Sequence, residues 1–350
     1  MDRDYLAIFV RVHREAYPVD TYLFLVCRRI FVDIYLNTKY LFLISNLFYQ
    51  KGEHKDMNIG IITAEGYDYP PTKRLAEAAA EKGHRIIVVD PIYVWPVLVS
   101  GRPDLEGGFD ISMLDVVLPR QGATVNDSSL KLVPHLHHMG VPLVNKLDAI
   151  RLAKDQFLTL QTLSSVQIPI PDTGFINAYE GFQSVLDRLG GYPVILKQVS
   201  GRVGEGVFLV NNGHKARLIL HNSLETAKGM LVQRFIPPES RLDIRVLVIG
   251  GKVIGAMKLK PKPGDFRSNF HLTQKSWPVE LLPEWEEVSL KAADVLGLEI
   301  AGVDLIVDAV GKVRVIELNY SPGFSGLEAA TGLDIAGQII DYVAETYDRR

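Results

Sequence analysis

Cysteine is almost absent: Cys27 is the single one in 350 residues. That excludes an intrachain disulfide and favours a reducing, cytoplasmic setting. Charge of one sign is also scarce. A formal net charge of −3 gives no electrostatic basis for direct binding to nucleic acid or to an anionic membrane surface. Long apolar runs are missing too. A membrane helix needs about 20 mostly apolar residues, and in the aromatic-rich first 56 residues Arg28, Arg29, Asp33 and Lys39 interrupt every stretch before that length. The acidic start and the lack of a small-residue cleavage site argue against a signal peptide. Met57 opens a clean strand as a natural start codon would, so residues 1–56 are expected to be an over-extended reading frame or a poorly packed appendage.

Several catalytic signatures are lacking as well. The glycine-rich segment Gly201-Arg-Val-Gly204-Glu-Gly206 has the spacing G-x-x-G-x-G. It matches neither the Rossmann fingerprint nor a P-loop, because no Lys-Ser or Lys-Thr follows Gly206. His135, His137 and His138 lack the i, i+4 spacing that presents two metal ligands together. Ser128–Ser129 has no nucleophile-elbow context. An acyl-enzyme mechanism therefore has little support.

What is present is 47% hydrophobic and 23% charged residues, the balance of a globular chain long enough for two or three packed subdomains. From Met57 strands and helices alternate: a strand at Ile59–Ile62, a helix at Thr72–Lys82 ended by Gly83, and a strand at Arg85–Asp90. A strand at Asp115–Pro119, a helix near Ser128–Met139 and a strand at Val141–Val144 follow. This is an α/β unit with a largely parallel sheet. From Asp148 the pattern becomes α+β: helices at Asp148–Leu163 and Ala178–Leu189, a strand at Tyr192–Val199, then hairpins. Leu242–Ile249 and Lys252–Leu259 turn at Gly250–Gly251, and Gly302–Val307 pairs with Val313–Asn319, with helices at Pro283–Leu296 and Asp334–Thr346 covering the sheet. The expected divisions are 1–56 as a doubtful extension, 57–146 as the α/β domain, 147–232 as a small lobe and 233–350 as a large lobe.

The chemistry sits in three places. Gly201, Gly204 and Gly206 form a strand–turn–strand corner where backbone N–H groups can approach phosphate oxygens. Lys197, after the apolar Val194–Leu196, is an ammonium that is costly there unless it meets an anion. A flexible hairpin with a surface lysine is the plain alternative. Second, Glu317 and Asn319 share a strand face, and a turn near Val310–Gly311 brings Asp304 roughly opposite Glu317. Opposed carboxylates repel; a divalent cation reverses this, and hard oxygen ligands suit magnesium. A solvated outer face is the competing reading, and apolar neighbours such as Val303 and Leu318 argue against it. Third, the loop Gly264–Asn269 carries Arg267, Ser268 and Asn269, with Lys258, Lys260 and Lys262 upstream. Arg267 can grip a phosphate or carboxylate as a fork, but taken by itself an ordinary exposed basic loop is the better reading, as it is for Asp243 and Arg245.

In order, these segments resemble the ATP-grasp superfamily, specifically RimK-type glutamate ligases, over Met57 to the C-terminus. The resemblance rests on GDFRSN (Gly264–Asn269), AGVDLI (Ala301–Ile306), IELNYSPGFSGLE (Ile316–Glu328) and TGLDIAG (Thr331–Gly337). It implies an ATP-grasp fold behind a pre-ATP-grasp lobe. It implies that Lys197 binds ATP phosphates under the Gly201–Gly206 loop. It makes Val232–Phe235, including Arg234 and Phe235, the hinge beside adenine, mainly through backbone groups. It makes Asp243 a nucleotide-site residue, and it sets Arg267, Ser268 and Asn269 against phosphate and the reacting carboxylate. Asp304, Glu317 and Asn319 then match ligands of two magnesium or manganese ions, with Glu317 bridging. Lys197, Arg267 and Asn319 would carry the catalysis. The implied partners are ATP, an amino acid such as glutamate and a protein, peptide or small-molecule acceptor, with a homo-oligomer common among relatives. Two positions depart from the pattern: Gln156 stands where a second ATP lysine is usual, and Arg234 where the hinge is usually acidic. A small-molecule ligase and a non-catalytic nucleotide-binding scaffold are the alternative functions.

Overall fold

The computed structural model describes residues 56–120, 131–199, 206–227, 229–267 and 273–347. Expectations for residues 1–55, for Ser128 and Ser129, for Gly201 and Gly204, and for Ser268 and Asn269 lie outside the described residues.

The first part runs through β1 (Asn58–Ile62), α1 (Pro70–Glu81), β2 (Arg85–Val89), β3 (Trp95–Val99), β4 (Arg102–Glu106), β5 (Val116–Pro119) and α2 (Leu132–His138). Strands β1, β2 and β5 form a parallel sheet in the order β2-β1-β5. The run Ile59–Ile62 is apolar on both faces because both are covered, as in other parallel sheets. Ile59 and Ile61 pack with Leu75 and Ala79 of α1, while Ile62 packs with Leu132 and Leu136 of α2. The strand expected at Val141–Val144 is reduced to a single bridge from Leu143 to Val117. The β3–β4 hairpin was not foreseen. Trp95, Leu98 and Val99 of β3 are exposed, so no alternation toward a core marks that strand, while Leu105 of β4 packs against one.

The helix expected at Asp148–Leu163 is two helices, α3 (Leu147–Lys154) and α4 (Gln156–Ser165). Asp155 divides them. Its backbone is extended at φ −92° and ψ 105°, and its carboxylate accepts from the N–H groups of Phe157 and Leu158, both at 3.0 Å. An aspartate that caps a new first turn ends the preceding helix. Then come β6 (Thr173–Ile176), α5 (Gly181–Arg188), β7 (Val194–Gln198), β8 (Val207–Val210), α6 (Gly213–Ala227) and β9 (Met230–Arg234). The four strands form an antiparallel sheet, β6-β9-β7-β8. Val194, Leu196, Val210, Met230 and Val232 bury one face of it against α5 and α6.

The last part holds β10 (Arg241–Ile249), β11 (Lys252–Pro261), β12 (Thr273–Pro278), α7 (Pro283–Val295), β13 (Ile300–Asp308), β14 (Val313–Asn319), α8 (Ser325–Thr331) and α9 (Ile335–Tyr347). These strands form a five-stranded antiparallel sheet, β12-β11-β10-β13-β14. Gly250 and Gly251 turn between β10 and β11 as expected, at φ 56° and 73°, a region open to glycine without a steric penalty. One sheet face packs Val246, Val303 and Leu305 onto Ala292 and Leu296 of α7. On the other, Leu247 and Ile249 share a core with Ile335, Ile339 and Ile340 of α9 and with α1 and β1. Helix α9 thus joins the parallel sheet to the five-stranded one. Each isoleucine fully buried in that seam contributes about 1.5–3 kcal/mol.

Candidate active site

The site is built on the edge half of the five-stranded sheet. Arg245 of β10, Asp304 of β13 and Glu317 of β14 are register partners in one line across three strands. Residues opposite one another share a face, so their side chains project together. Asn319 follows two residues on, opposite Gly302. The pairing shifts between Asp304 and Leu305, so that Leu305 faces Val315 and Ile316 is the extra residue. This β-bulge reverses the alternation along β14. Val313 and Val315 point into the core, whereas Glu317 and Asn319 point to the site.

Arg245 grips Asp304 as a fork, Nε to Oδ1 at 2.7 Å and Nη2 to Oδ2 at 2.6 Å. Burial by itself lowers the Arg245 pKa, but Asp304 more than compensates and holds it above the ordinary value. Glu317 is half-buried and forms no hydrogen bond or ion pair with a described residue. Its carboxyl is pushed up, first by burial and then by Asp304, against the opposing pull of Lys197 and Arg245. From the four-stranded sheet comes Lys197, 8% exposed. Burial drives its amine below the ordinary lysine value; Glu317 opposes this, Arg241 adds to it and Asp304 opposes it. Lys197 and Glu317, carried by different sheets, thus each feel the other's charge.

The donor set fits a hard divalent cation. Glu317 is a desolvated carboxylate without a partner among the described residues, Asp304 keeps lone pairs beyond those its fork uses, and Asn319 adds an amide oxygen. Two carboxylates and one amide suit magnesium better than softer metals. Among the described residues no group of three His, Cys, Asp or Glu side chains that could hold a metal ion is found.

The surrounding residues divide. Lys197 pairs with Val207 and Leu231, which sets Gln233 on its face. Gln233 is 4% exposed and donates to Thr173 Oγ1 at 2.9 Å. Arg234 is on the opposite face. Its guanidinium is at the surface, bonded to Asp172 at 3.0 Å, and its backbone N–H donates to the Asp172 carbonyl at 2.9 Å. Alternation along β9 thus turns its side chain to the face opposite Lys197. Phe235 stands just beyond β9, edge-on to Phe266 with ring centroids 6.0 Å apart. Gly206 turns into β8 at φ +74°, where a Cβ would lie 2.5 Å from Gln198 Oε1.

Asp243 shares the site face but is taken up by Arg241, whose Nε lies 3.1 Å from both carboxylate oxygens. Arg241 also donates to the carbonyls of Ile236 and Phe266. It ties the hinge end and the Gly264–Arg267 loop to β10, a positioning role the sequence reading missed, although Arg241, Asp243 and Arg245 recur at the two-residue spacing of one face. Arg267 closes a fork on Asp265, Nε to Oδ1 at 3.0 Å and Nη2 to Oδ2 at 2.9 Å, and the Asp265 carboxyl is held below the usual range chiefly by that hydrogen bond. Gln156 is the first residue of α4 and Lys154 the last of α3.

A four-stranded lobe carrying a buried lysine, closing on a larger sheet with a carboxylate–amide cation face, is an ATP-grasp arrangement. Residues 153–343 match the RimK-like ATP-grasp domain and residues 57–150 the RimK PreATP-grasp domain. A probable alpha-L-glutamate ligase of Thioalkalivibrio sulfidiphilus is 35% identical over 290 residues, covering 83% of this chain and 96% of that protein. Another, from Aliivibrio fischeri, is 37% identical over 291 residues, with the same 83% and 96% coverage. The solved ATP-grasp ligase PsnB with minimal precursor, Mg and ADP superposes with a TM-score of 0.62 at 21% identity, over 85% of this chain and 99% of that one. The chain belongs to the RimK-like ATP-grasp family, a family of ATP-dependent ligases. As a member of that family it uses ATP as co-substrate. No helix of the described residues is long and apolar enough to cross a membrane.

Proposed function

We propose that this ligase joins glutamate or a similar amino acid to a protein or peptide acceptor by an amide bond formed through an acylphosphate. A substrate carboxylate oxygen attacks the γ-phosphorus of ATP, the bond to the β,γ-bridging oxygen breaks, and ADP leaves. An amine then attacks the acyl carbon, phosphate departs, and the amine proton passes to solvent. No protein nucleophile is needed, so the residues work by position and charge. Lys197, on the face shared with Gln233 and beside the Gly206 turn, meets the transferring phosphate. Asp304, Glu317 and Asn319 would hold magnesium, whose charge offsets that developing on the phosphate oxygens. Arg267, on release from Asp265, is placed to hold the reacting carboxylate, with Ser268 and Asn269 beside it. The backbone around Phe235 borders adenine. Two ions with Glu317 between them, tolerance of manganese, self-assembly and a cytoplasmic site of action belong to the same reading. So does a division of labour in which 147–232 closes over nucleotide held on 233–350, with 57–146 beside the acceptor side.

The observation that carries this is the aligned Arg245–Asp304–Glu317 line facing buried Lys197. The test is incubation with ATP, magnesium and an amino-acid panel in the presence of candidate acceptors, with products weighed. Polymeric or amino-acid-sized additions to a protein support the reading; a discrete small amide replaces it with a small-molecule ligase. ATP binding without ADP release under any acceptor replaces it with a scaffold. Glu317→Ala should abolish ADP release in a folded, soluble protein, and normal turnover by that variant removes Glu317 from the mechanism.

A further inference from the structure

One cation near the site is used by none of this. Arg120 directly follows β5, at the carboxyl end of the parallel sheet, and its N–H donates to Ile62 O of neighbouring β1 at 3.0 Å. That end of an open α/β sheet is where such sheets receive ligands. Its guanidinium reaches across to the loop beyond β14, donating from Nη2 to Pro322 O at 2.8 Å and lying 5.5 Å over the Phe324 ring. The loop is close to Asn319. A Cβ on Gly302, the register partner of Asn319, would be 2.8 Å from Pro322 Cβ.

Among the described residues no carboxylate pairs with Arg120. Burial pushes its pKa down to about 10, with the Tyr69 phenol the nearby group opposing the shift. A desolvated guanidinium with one carbonyl and one ring for company is costly, and an anionic ligand would offset that cost. Arg120 stands on a different element from Lys197, at the end of β5 and against the loop after β14, whereas Lys197 is on the four-stranded sheet. An anion at Arg120 would lie on the first-lobe side of Asn319.

We propose that Arg120 binds the non-reacting carboxylate of the amino-acid substrate as a fork, making it a specificity-determining residue for an acidic or α-carboxylate group. This rests on the ligase reading and adds which side of the cleft the amino acid occupies. The planar fork of arginine matches a carboxylate with two parallel hydrogen bonds, which lysine cannot reproduce.

The test is calorimetric titration of L-glutamate, L-glutamine and L-isoglutamine into the full chain with Mg·ADP, for wild type, Arg120→Lys and Arg120→Met, beside steady-state ADP release. Arg120→Met should weaken L-glutamate binding about 10- to 100-fold, Arg120→Lys less, and ADP affinity should change by less than about two-fold, as an ion pair outside the phosphate cluster implies. Wild type should discriminate against one of the two amides, and Arg120→Met should lose that discrimination. A purely structural role would weaken acid and amides alike, or ADP with them, and either result overturns the proposal. So does a wild type that binds no amino acid of the panel. Should Arg120→Met fail to fold, Arg120→Lys and the amide series on wild type decide: equal affinity for L-glutamate and both amides overturns it. Glutamate binding through Arg120 without ADP release defeats the ligase reading alone, and turnover with unchanged glutamate KM in the variants defeats the Arg120 assignment alone.

Discussion

Asn145 offers the sharpest check on how the first lobe supports the site. It is 1% exposed and its amide is fully used. Nδ2 donates to Ile300 O at 2.7 Å and Tyr320 O at 2.8 Å; Oδ1 accepts from Glu299 N at 2.6 Å and Ile300 N at 2.8 Å. Two donors and two lone pairs are the whole capacity of that side chain. It joins the start of β13, the strand of Asp304, to the residue after Asn319. At about 1 kcal/mol net for each hydrogen bond, Asn145→Ala costs about 4 kcal/mol, more if the stranded backbone groups stay dry. At about 2–4 °C per kcal/mol in a domain of this size, the melting midpoint should fall by about 10 °C. Asn145→Asp is the informative variant. It is nearly isosteric and keeps both acceptor contacts, but it turns a carboxylate oxygen toward two carbonyl oxygens, so it should cost at least as much as alanine. Differential scanning calorimetry with and without Mg·ADP measures both changes, and the nucleotide-induced increment should shrink because Tyr320 adjoins Asn319. An Asn145→Asp protein within about 1 kcal/mol of wild type, by urea unfolding, would refute the hydrogen-bond reasoning.

Three further outcomes follow from the same geometry. Lys197→Met swaps a desolvated ammonium for an apolar chain of similar length, so the nucleotide-free protein should keep its stability within about 1 kcal/mol. It should lose most of the about 2.7 kcal/mol that ADP at 100 times its Kd confers on wild type, and a full thermal shift with ADP would count against Lys197 as a phosphate ligand. Arg245→Met removes the fork from Asp304 and leaves two opposed carboxylates, at a cost of about 3 kcal/mol in the metal-free protein. Magnesium should then raise its melting midpoint by more than it raises that of wild type, and an equal or smaller rise would mean that Asp304 and Glu317 do not share the ion. Gly302→Ala puts a methyl group 2.8 Å from Pro322 Cβ, an overpacking worth about 1–3 kcal/mol. Because Asn319 is opposite, the magnesium concentration for half-maximal ADP release should rise more steeply than the KM for ATP.

Much of the site was written in local patterns. Lys197 stands out as a cation after three apolar residues, and its burial follows from that run. One short turn between two apolar strands brings Asp304 near Glu317, but the regular register would set it opposite Ile316, and only the bulge makes the two carboxylates partners. What a strand pattern could not carry is the bulge. Strict period two puts Val315, Glu317 and Asn319 on one face, which would bury both ligands or expose the valine. One unpaired residue at Ile316 lets the same strand feed a core and a cation face in turn. Arg245 was read beside Asp243 on its own strand because nothing local says that β10 lies next to β13, some 50 residues on. Arg120 and Asn145 were missed for the same reason at longer range. Each meets partners more than 150 residues away, and neither has a neighbour in sequence that marks it. These two contacts bind the first lobe to the loop after Asn319. The lobe that supplies no residue to the sequence-predicted site thus fixes its geometry from behind. Loosening that lobe should therefore raise the magnesium requirement before it unfolds the lobe that holds Lys197.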